Sequence, residues 1–287
     1  VFPKFSSGIV TGKVAVKGGS FGLINPSANI AVKLHEKLAL TCSGEYLFAN
    51  GRYPYILEYG NAGDSTSKEL RQNTDVENIR AEMALYGRDS VQNGNFKAYF
   101  FQSKRGLPGA TIFYNTANFS SQRITDRDFF AQGHFERQLI PQVKIQFNAK
   151  YQYSFTHYLD PVYLGSLGKE ENFYHQQEGY LNAGVLYNVL HCLSFSFNTD
   201  GIISALNADL QDFAKPVRYQ WLTSVSGKYV NSWVVASATA LFTLVDEKVQ
   251  SGNASKGYFR VNPFVSATFK PFNKINLRFR VFYKNIF

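Results

Sequence analysis

From Val143 to Phe155 every second residue is apolar or aromatic (Val143, Ile145, Phe147, Ala149, Tyr151, Tyr153, Phe155), and Lys144, Gln146, Asn148, Lys150, Gln152 and Ser154 fill the gaps. Side chains of a strand point alternately to its two faces, so this segment reads as a strand with one oily face and one wet face. Its length is the tighter constraint. Soluble strands usually run to about 5–6 residues, whereas a strand tilted across a bilayer needs about 9–11. Similar stretches recur along the chain, and the repeated length points to a membrane-spanning sheet rather than a soluble sandwich.

Thirteen strand candidates follow from the pattern: 9–18, 26–35, 37–50, 75–88, 95–105, 125–138, 142–157, 174–188, 191–198, 217–229, 232–246, 257–270 and 274–286. Turn chemistry such as Asn93-Gly94, Gly252-Asn253 and Pro271 with Asn273 bounds them. Tight connections (35–37, 89–94, 139–141, 189–190, 230–231, 271–273) alternate with long ones (51–74, 106–124, 158–173, 199–216, 247–256). Short periplasmic turns and long extracellular loops are how outer-membrane barrels are built. The expected fold is therefore all-β, an antiparallel transmembrane barrel. Phe259, Val261, Pro263, Val265, Ala267 and Phe269 would face lipid, as would Val234, Ala236, Ala238, Ala240, Phe242 and Leu244. Arg260, Asn262, Ser266 and Thr268, with Ser237, Thr239 and Thr243, would face the lumen. Tyr229, Trp233 and Phe272 near the short turns, and Tyr158, Trp221 and Tyr258 near the opposite rim, would form two aromatic girdles.

Composition agrees. Hydrophobic residues make up 45% at a mean hydropathy of −0.22, and aromatics 16%. That is too polar for a helical membrane protein and suits strands with one wet face. The longest nearly apolar run, Val234 to Val245, contains Ser237, Thr239 and Thr243 and falls short of the roughly 18 residues of a spanning helix. Net charge is +9, but Lys144, Lys150, Arg278 and Arg280 alternate with apolar residues and would point into a lumen. No nucleic-acid recognition motif accompanies the charge, so no nucleic-acid partner is expected. Cys42 and Cys192 lie far apart in strand order and read as two separate thiols.

Thirteen strands leave a barrel open, because single-chain bacterial barrels have an even number. An unpaired edge in lipid exposes backbone groups at several kcal/mol each. The sequence also begins at Val1 without an initiator Met or signal peptide, which reads as a mature, trimmed or incomplete chain. Either the count is off by one strand or the chain is part of a larger barrel.

The segments Gly18 to Gly22 (GGSFG), Ser43 to Tyr55 (SGEYLFANGRYPY), Arg105 to Ala110 (RGLPGA), Asp126 to Gln132 (DRDFFAQ) and Leu277 to Phe287 (LRFRVFYKNIF) resemble, in collinear order, the barrel of TonB-dependent outer-membrane receptors of the cobalamin-receptor type. The resemblance implies a 22-stranded barrel with a plugged lumen, of which residues 1–287 form one partial barrel domain without the plug and the later strands. It implies active uptake of a scarce large nutrient, a corrinoid or a siderophore or other metal chelate, across the bacterial outer membrane. Implied partners are outer-membrane lipid, a TonB-type energy-coupling protein acting through the missing plug, and a surface lipoprotein. The alternative is a smaller passive porin-like channel, favoured by the terminal Phe and the basic lumen.

Ligand contacts are expected from the long loops. Tyr53, Tyr55 and Tyr59, then Phe113, Tyr114 and Asn115, offer flat rings and an amide that suit a bulky, partly apolar ligand. Neither a resident metal nor a cofactor is expected: the histidines at 35, 157, 175 and 191 lack ligand spacing. Asp200, Asp209 and Asp212 form an acidic loop with enough oxygens for calcium, without EF-hand spacing. Asp128, His134 and Glu136 share a strand face, but no nucleophile accompanies them and no enzymatic activity is expected.

Overall fold

The computed structural model describes residues 8–59, 65–109, 121–163, 168–271 and 278–285. Fifteen strands follow one another: β1 (Val10–Gly19), β2 (Leu23–His35), β3 (Leu38–Ala49), β4 (Pro54–Tyr59), β5 (Ser65–Leu70), β6 (Val76–Arg88), β7 (Gln92–Gly106), β8 (Arg123–Ile140), β9 (Val143–Asp160), β10 (Glu170–Leu190), β11 (Leu193–Ala208), β12 (Val217–Val230), β13 (Val234–Lys248), β14 (Tyr258–Phe269) and β15 (Phe279–Lys284). Thirteen of them make one antiparallel sheet in which every strand pairs with its sequence neighbours, while β4 and β5 form a separate hairpin. β1 and β15 stand at the two edges and do not pair with each other. No described helix is long and apolar enough to cross a membrane, which leaves crossing by strands open.

Register fixes which side chains share a face, because directly opposed residues of antiparallel strands project to the same side. One row runs Val10, Val32, Leu40, Leu85, Phe96, Gly133, Ala149, Leu181, Gly201, Trp221, Leu244 and Phe259 from β1 to β14. Every member is apolar. A row on the other face reads Lys13, Asn29, Ser43, Glu82, Tyr99, Phe130, Gln152, Glu178, Ser204, Arg218 and Glu247. Ala39, Ala84, Ser103 and Ser266, among the few buried side chains, all lie on the polar face. The sheet therefore curls with its polar face inward.

A single curled layer has no dry core. No large side chain is fully buried among the described residues, and Phe147 on the apolar face is 49% exposed. The accessible surface is 19280 Å², against about 12,000 Å² for a compact soluble protein of this mass. Such an apolar convex surface is stable only against lipid. On β13 the outward series Val234 to Leu244 is apolar and then gives way to Asp246 and Lys248. Eleven residues of belt match the span of a tilted transmembrane strand.

Four expectations need correction. β11 continues to Ala208 rather than ending at 198, because outward Thr199 and Gly201 interrupt the apolar alternation without interrupting the pairing. The long loop shrinks to 209–216. β2 begins at Leu23, so β1 and β2 are joined at the long-loop end by the three-residue turn 20–22, which breaks the strict alternation of short and long. The segment 51–74 is no plain loop, since it folds the β4–β5 hairpin. Tyr158 and Tyr258 have lumen parity, paired with Ile124 and Asn172, and with Val245; of the expected girdles, Trp221 and Tyr229 keep lipid-facing parity, and the turn residue Trp233 is exposed. Phe272 and Leu277 lie outside the described residues.

Candidate functional site

The concave wall is the first half of the candidate site. Its carboxylates are taken up within the wall. Glu45 pairs with Arg80, Glu82 with Lys97 at 2.7 Å, Asp126 with Arg105 at 2.6 Å, Glu136 with Lys144 at 2.8 Å and Glu247 with Arg218 at 2.8 Å. These are cross-strand pairs brought together by register: Arg80 stands directly opposite Glu45, and Arg218 opposite Glu247. A relay of amides and hydroxyls continues between them. His134 Nδ1 lies 2.7 Å from Asn148 Oδ1, Asn148 donates to Asn182 at 2.7 Å, Asn182 donates to Asp200 at 2.8 Å, and the Tyr180 hydroxyl donates to Asp200 at 2.7 Å. Asn78 Oδ1 and Asn262 Oδ1 are the buried side-chain atoms left without a hydrogen bond among the described residues. Lys13, Lys17, Lys33 and Lys228 have lumen parity and no carboxylate partner among the described residues, so the free charge of the wall is positive.

The second half is the long-loop mouth, braced by a polar knot. Asn73, held at φ 54°, donates to Leu107 O at 3.1 Å and to Gln122 O at 2.7 Å. Arg123 grips Asp75 through two nitrogens at 3.2 and 2.6 Å and also reaches Asn73 Oδ1 at 3.3 Å. Gln122 donates to Asp160 at 2.9 Å, and Asp160 accepts the amide of Val162 at 3.1 Å. The knot ties the β5–β6 connection, the β7–β8 loop and the end of β9 to one another. The paired guanidinium of Arg123 holds the Asp75 carboxyl below the usual carboxylate range, against the opposing effect of partial burial. At the opposite end, Lys37 and Asp89 join two short turns at 2.9 Å, and the lysine's hydrogen bond lowers the Asp89 pKa.

Of the expected ligand contacts, Tyr53 and Tyr55 are placed on or beside the β4–β5 hairpin. The Tyr53 ring meets Phe21 edge-on at 6.1 Å and is largely exposed. Arg71 lies 5.9 Å from the Tyr55 ring and also donates to Gly109 O, which links the hairpin to the start of the β7–β8 loop. Tyr59 ends β4. Phe113, Tyr114 and Asn115 fall outside the described residues, so no contact between the two loops' aromatic groups is established. The three aspartates are not gathered: Asp200 sits on β11 facing the lumen, Asp209 accepts the Phe173 amide at 2.7 Å, and Asp212 occupies a turn at φ 56°. No group of three metal-ligating side chains occurs among the described residues. Asp128, His134 and Glu136 share the lumen face as parity requires, but each is engaged elsewhere: Asp128 with Ser154 at 2.6 Å, His134 with Asn148, and Glu136 with Lys144 and with Asn93 at 3.0 Å.

Sequence reasoning missed the knot. Asn73, Asp75, Gln122, Arg123 and Asp160 come from three separate segments with no shared spacing. The one local cue is an Asn in the left-handed region, which Asn tolerates better than most residues.

No family model matches the sequence, and no curated protein is similar to it. Solved structures are. The chain is similar to the copper transporter OprC (TM-score 0.63, 10% identity, 91% of this chain and 43% of that one). It is also similar to the alcaligin outer-membrane receptor FauA of Bordetella pertussis (0.56, 8%, 90% and 40%) and to the siderophore receptor PiuA of Acinetobacter baumannii (0.53, 9%, 92% and 47%). This chain spans less than half of each. At such identities the likeness carries the architecture alone: the sheet has the all-β, antiparallel fold of an outer-membrane barrel wall, the fold class expected from the sequence.

Proposed function

We propose that the chain is an arc of the barrel of a TonB-dependent transporter, which takes up a scarce large nutrient across the outer membrane. The observation that supports this best is the concave wall. Its carboxylates already have partners in the wall, so it offers a polar, hydrated surface without a strong site for any one group. A filler that must move needs such a surface, and a wide lumen needs a filler if it is not to leak. The neighbours named above are a copper transporter and siderophore receptors, so a siderophore or other metal chelate leads among nutrients and a corrinoid follows. Tyr53 and Tyr55 stand on the hairpin at the mouth, where they can meet such a ligand. A TonB-type coupling protein and a surface lipoprotein are the partners of this reading, and no chemical step is assigned to the chain.

Uptake separates this reading from the passive channel, which the unpaired lumen lysines favour. In cells whose growth on a limiting ferric siderophore, copper or cobalamin depends on the protein, loss of the TonB-type coupling protein abolishes uptake of that nutrient. Uptake that persists without the coupling protein, together with a defined single-channel conductance of the purified protein, identifies a passive pore instead.

A further inference from the structure

The convex face is not uniformly rounded. Across β7 to β13 it holds a groove of about 1170 Å³, larger than the roughly 300–1,000 Å³ of an ordinary small-molecule site. Small residues make its floor, Gly133, Ala149 and Gly179 among them, and Phe147, Tyr151 and Trp221 rise around it. The Trp221 ring leans over Gly201, where an added Cβ would touch it at 3.5 Å. All these residues have lipid-facing parity, so the groove opens into the apolar belt, where water does not fill it.

A second cavity of about 370 Å³ lies directly above on the same strands. In four consecutive strands the outward residue one step toward the long loops passes from groove to cavity: Gly179 to Gln177, Ile203 to Ala205, Tyr219 to Val217 and Asp246 to Lys248. This upper cavity is basic and amide-rich. It is lined by Lys215, Lys248, His175 and Gln250, and neither lysine has a carboxylate within ion-pair distance among the described residues. Lys248 Nζ sits 5.7 Å from the centre of the Tyr219 ring, which lines the groove, so one side chain joins the two compartments. Asp246 at their border is the one carboxylate lining either cavity.

We propose that groove and basic cavity together form a lipid site on the outer surface of the barrel, which seats the acyl chains of an anionic lipid below and its phosphate-bearing headgroup between Lys215 and Lys248. Two features select this occupant. The groove lies at hydrocarbon depth, and the unpaired cations lie where the convex face turns polar at the long-loop end, which is headgroup depth in the outer leaflet. A partner protein docking by its own apolar face would use the small residues but would have no use for the basic crown.

The test uses protein purified from outer membranes in mild detergent and analysed by native mass spectrometry, then reconstituted with phosphatidylglycerol or with phosphatidylcholine. Gly179→Leu fills the groove without collision, since a Cβ there meets nothing within 4 Å. Lys215→Gln with Lys248→Gln removes the crown, and heat-modifiable migration on gels confirms that both variants are folded. Wild-type protein retains a phosphorylated lipid and prefers phosphatidylglycerol. The double lysine variant binds it roughly thirtyfold more weakly, from about one kcal/mol per interfacial cation, and Gly179→Leu also loses it. Equal retention by all three proteins overturns the proposal. So does inorganic phosphate binding to wild type and to Gly179→Leu alike, which reduces the crown to a simple anion site. A lipid-free dimer that Gly179→Leu dissociates overturns it too, by making the groove a contact between copies.

Discussion

Gly51 adopts φ 62°, and a Cβ placed on it would collide with the Thr74 carbonyl. Gly106 is equally confined, against the backbone and side-chain oxygens of Asn73. Both glycines sit where the polar knot draws the long loops together, and only a residue without a side chain lets the chains approach so closely. Gly51→Ala therefore costs more than about 1 kcal/mol, and the expected outcome is faster cleavage of the segment 50–75 by a protease added to intact cells. The ion pair within the knot has its own pH dependence. Asp75 has a lowered pKa in the folded state, so its contribution is complete above the ordinary carboxylate value of about 3.9. It is lost as pH falls through the lowered value. Pepsin digestion from pH 4 downward, with each rate divided by that on an unstructured peptide at the same pH, is expected to cut the wild-type loop progressively faster, while Asp75→Asn starts at the faster relative rate and rises less.

Each transmembrane strand carries its own instruction in period-2 alternation, which is why thirteen strands, and the facings of β9, β13 and β14 within the belt, could be read from the sequence. On β13 and β14 the lipid-facing series Val234 to Leu244 and Phe259 to Phe269 is apolar throughout, while the lumen-facing series mixes Ser237, Thr239, Arg260 and Asn262 with Leu241 and Phe264. Prediction follows from parity: Ala149→Arg places a guanidinium on the lipid face near mid-belt and costs about 2–4 kcal/mol, whereas Lys150→Gln, one residue away and facing the lumen, is near neutral. The folded fraction recovered in vesicles over a urea series measures both. Where a strand leaves the membrane the two faces no longer differ, and the alternation loses contrast. That explains why the upper end of β10 was not legible; Asp200, which pairs with Asn182 and Leu222 within the belt, was misplaced into a loop because outward Thr199 and Gly201 interrupt the apolar series there. The β4–β5 hairpin escaped for a different reason. It is a short ladder with no long alternation, and the contact that ties it to the rest, Arg71 with Gly109, joins segments whose proximity no local pattern announces.

The molecule as a whole is a wall with two open edges and a defined polarity across the membrane. Its two cysteines report that polarity. Cys42 projects outward between Ile30 and Met83 in the lipid-facing belt, and Cys192 lies in the short turn between β10 and β11. A bulky polyethylene-glycol maleimide is expected to modify neither in intact cells, and Cys192 alone once the outer membrane is permeabilised; labelling of Cys192 in intact cells reverses the orientation. Period-2 alternation reached the architecture, but the arrangement of the long-loop end was not legible, because it is held by the polar knot and the β4–β5 hairpin rather than by periodic sequence. Being one layer thick has a further result. In a packed globule a side chain cannot change size without disturbing a neighbour behind it, and adaptation to solvent on one side taxes the other. Here successive residues answer to different surroundings, so the chemistry of the passage and the fit to the bilayer can drift separately, each on its own half of the residues.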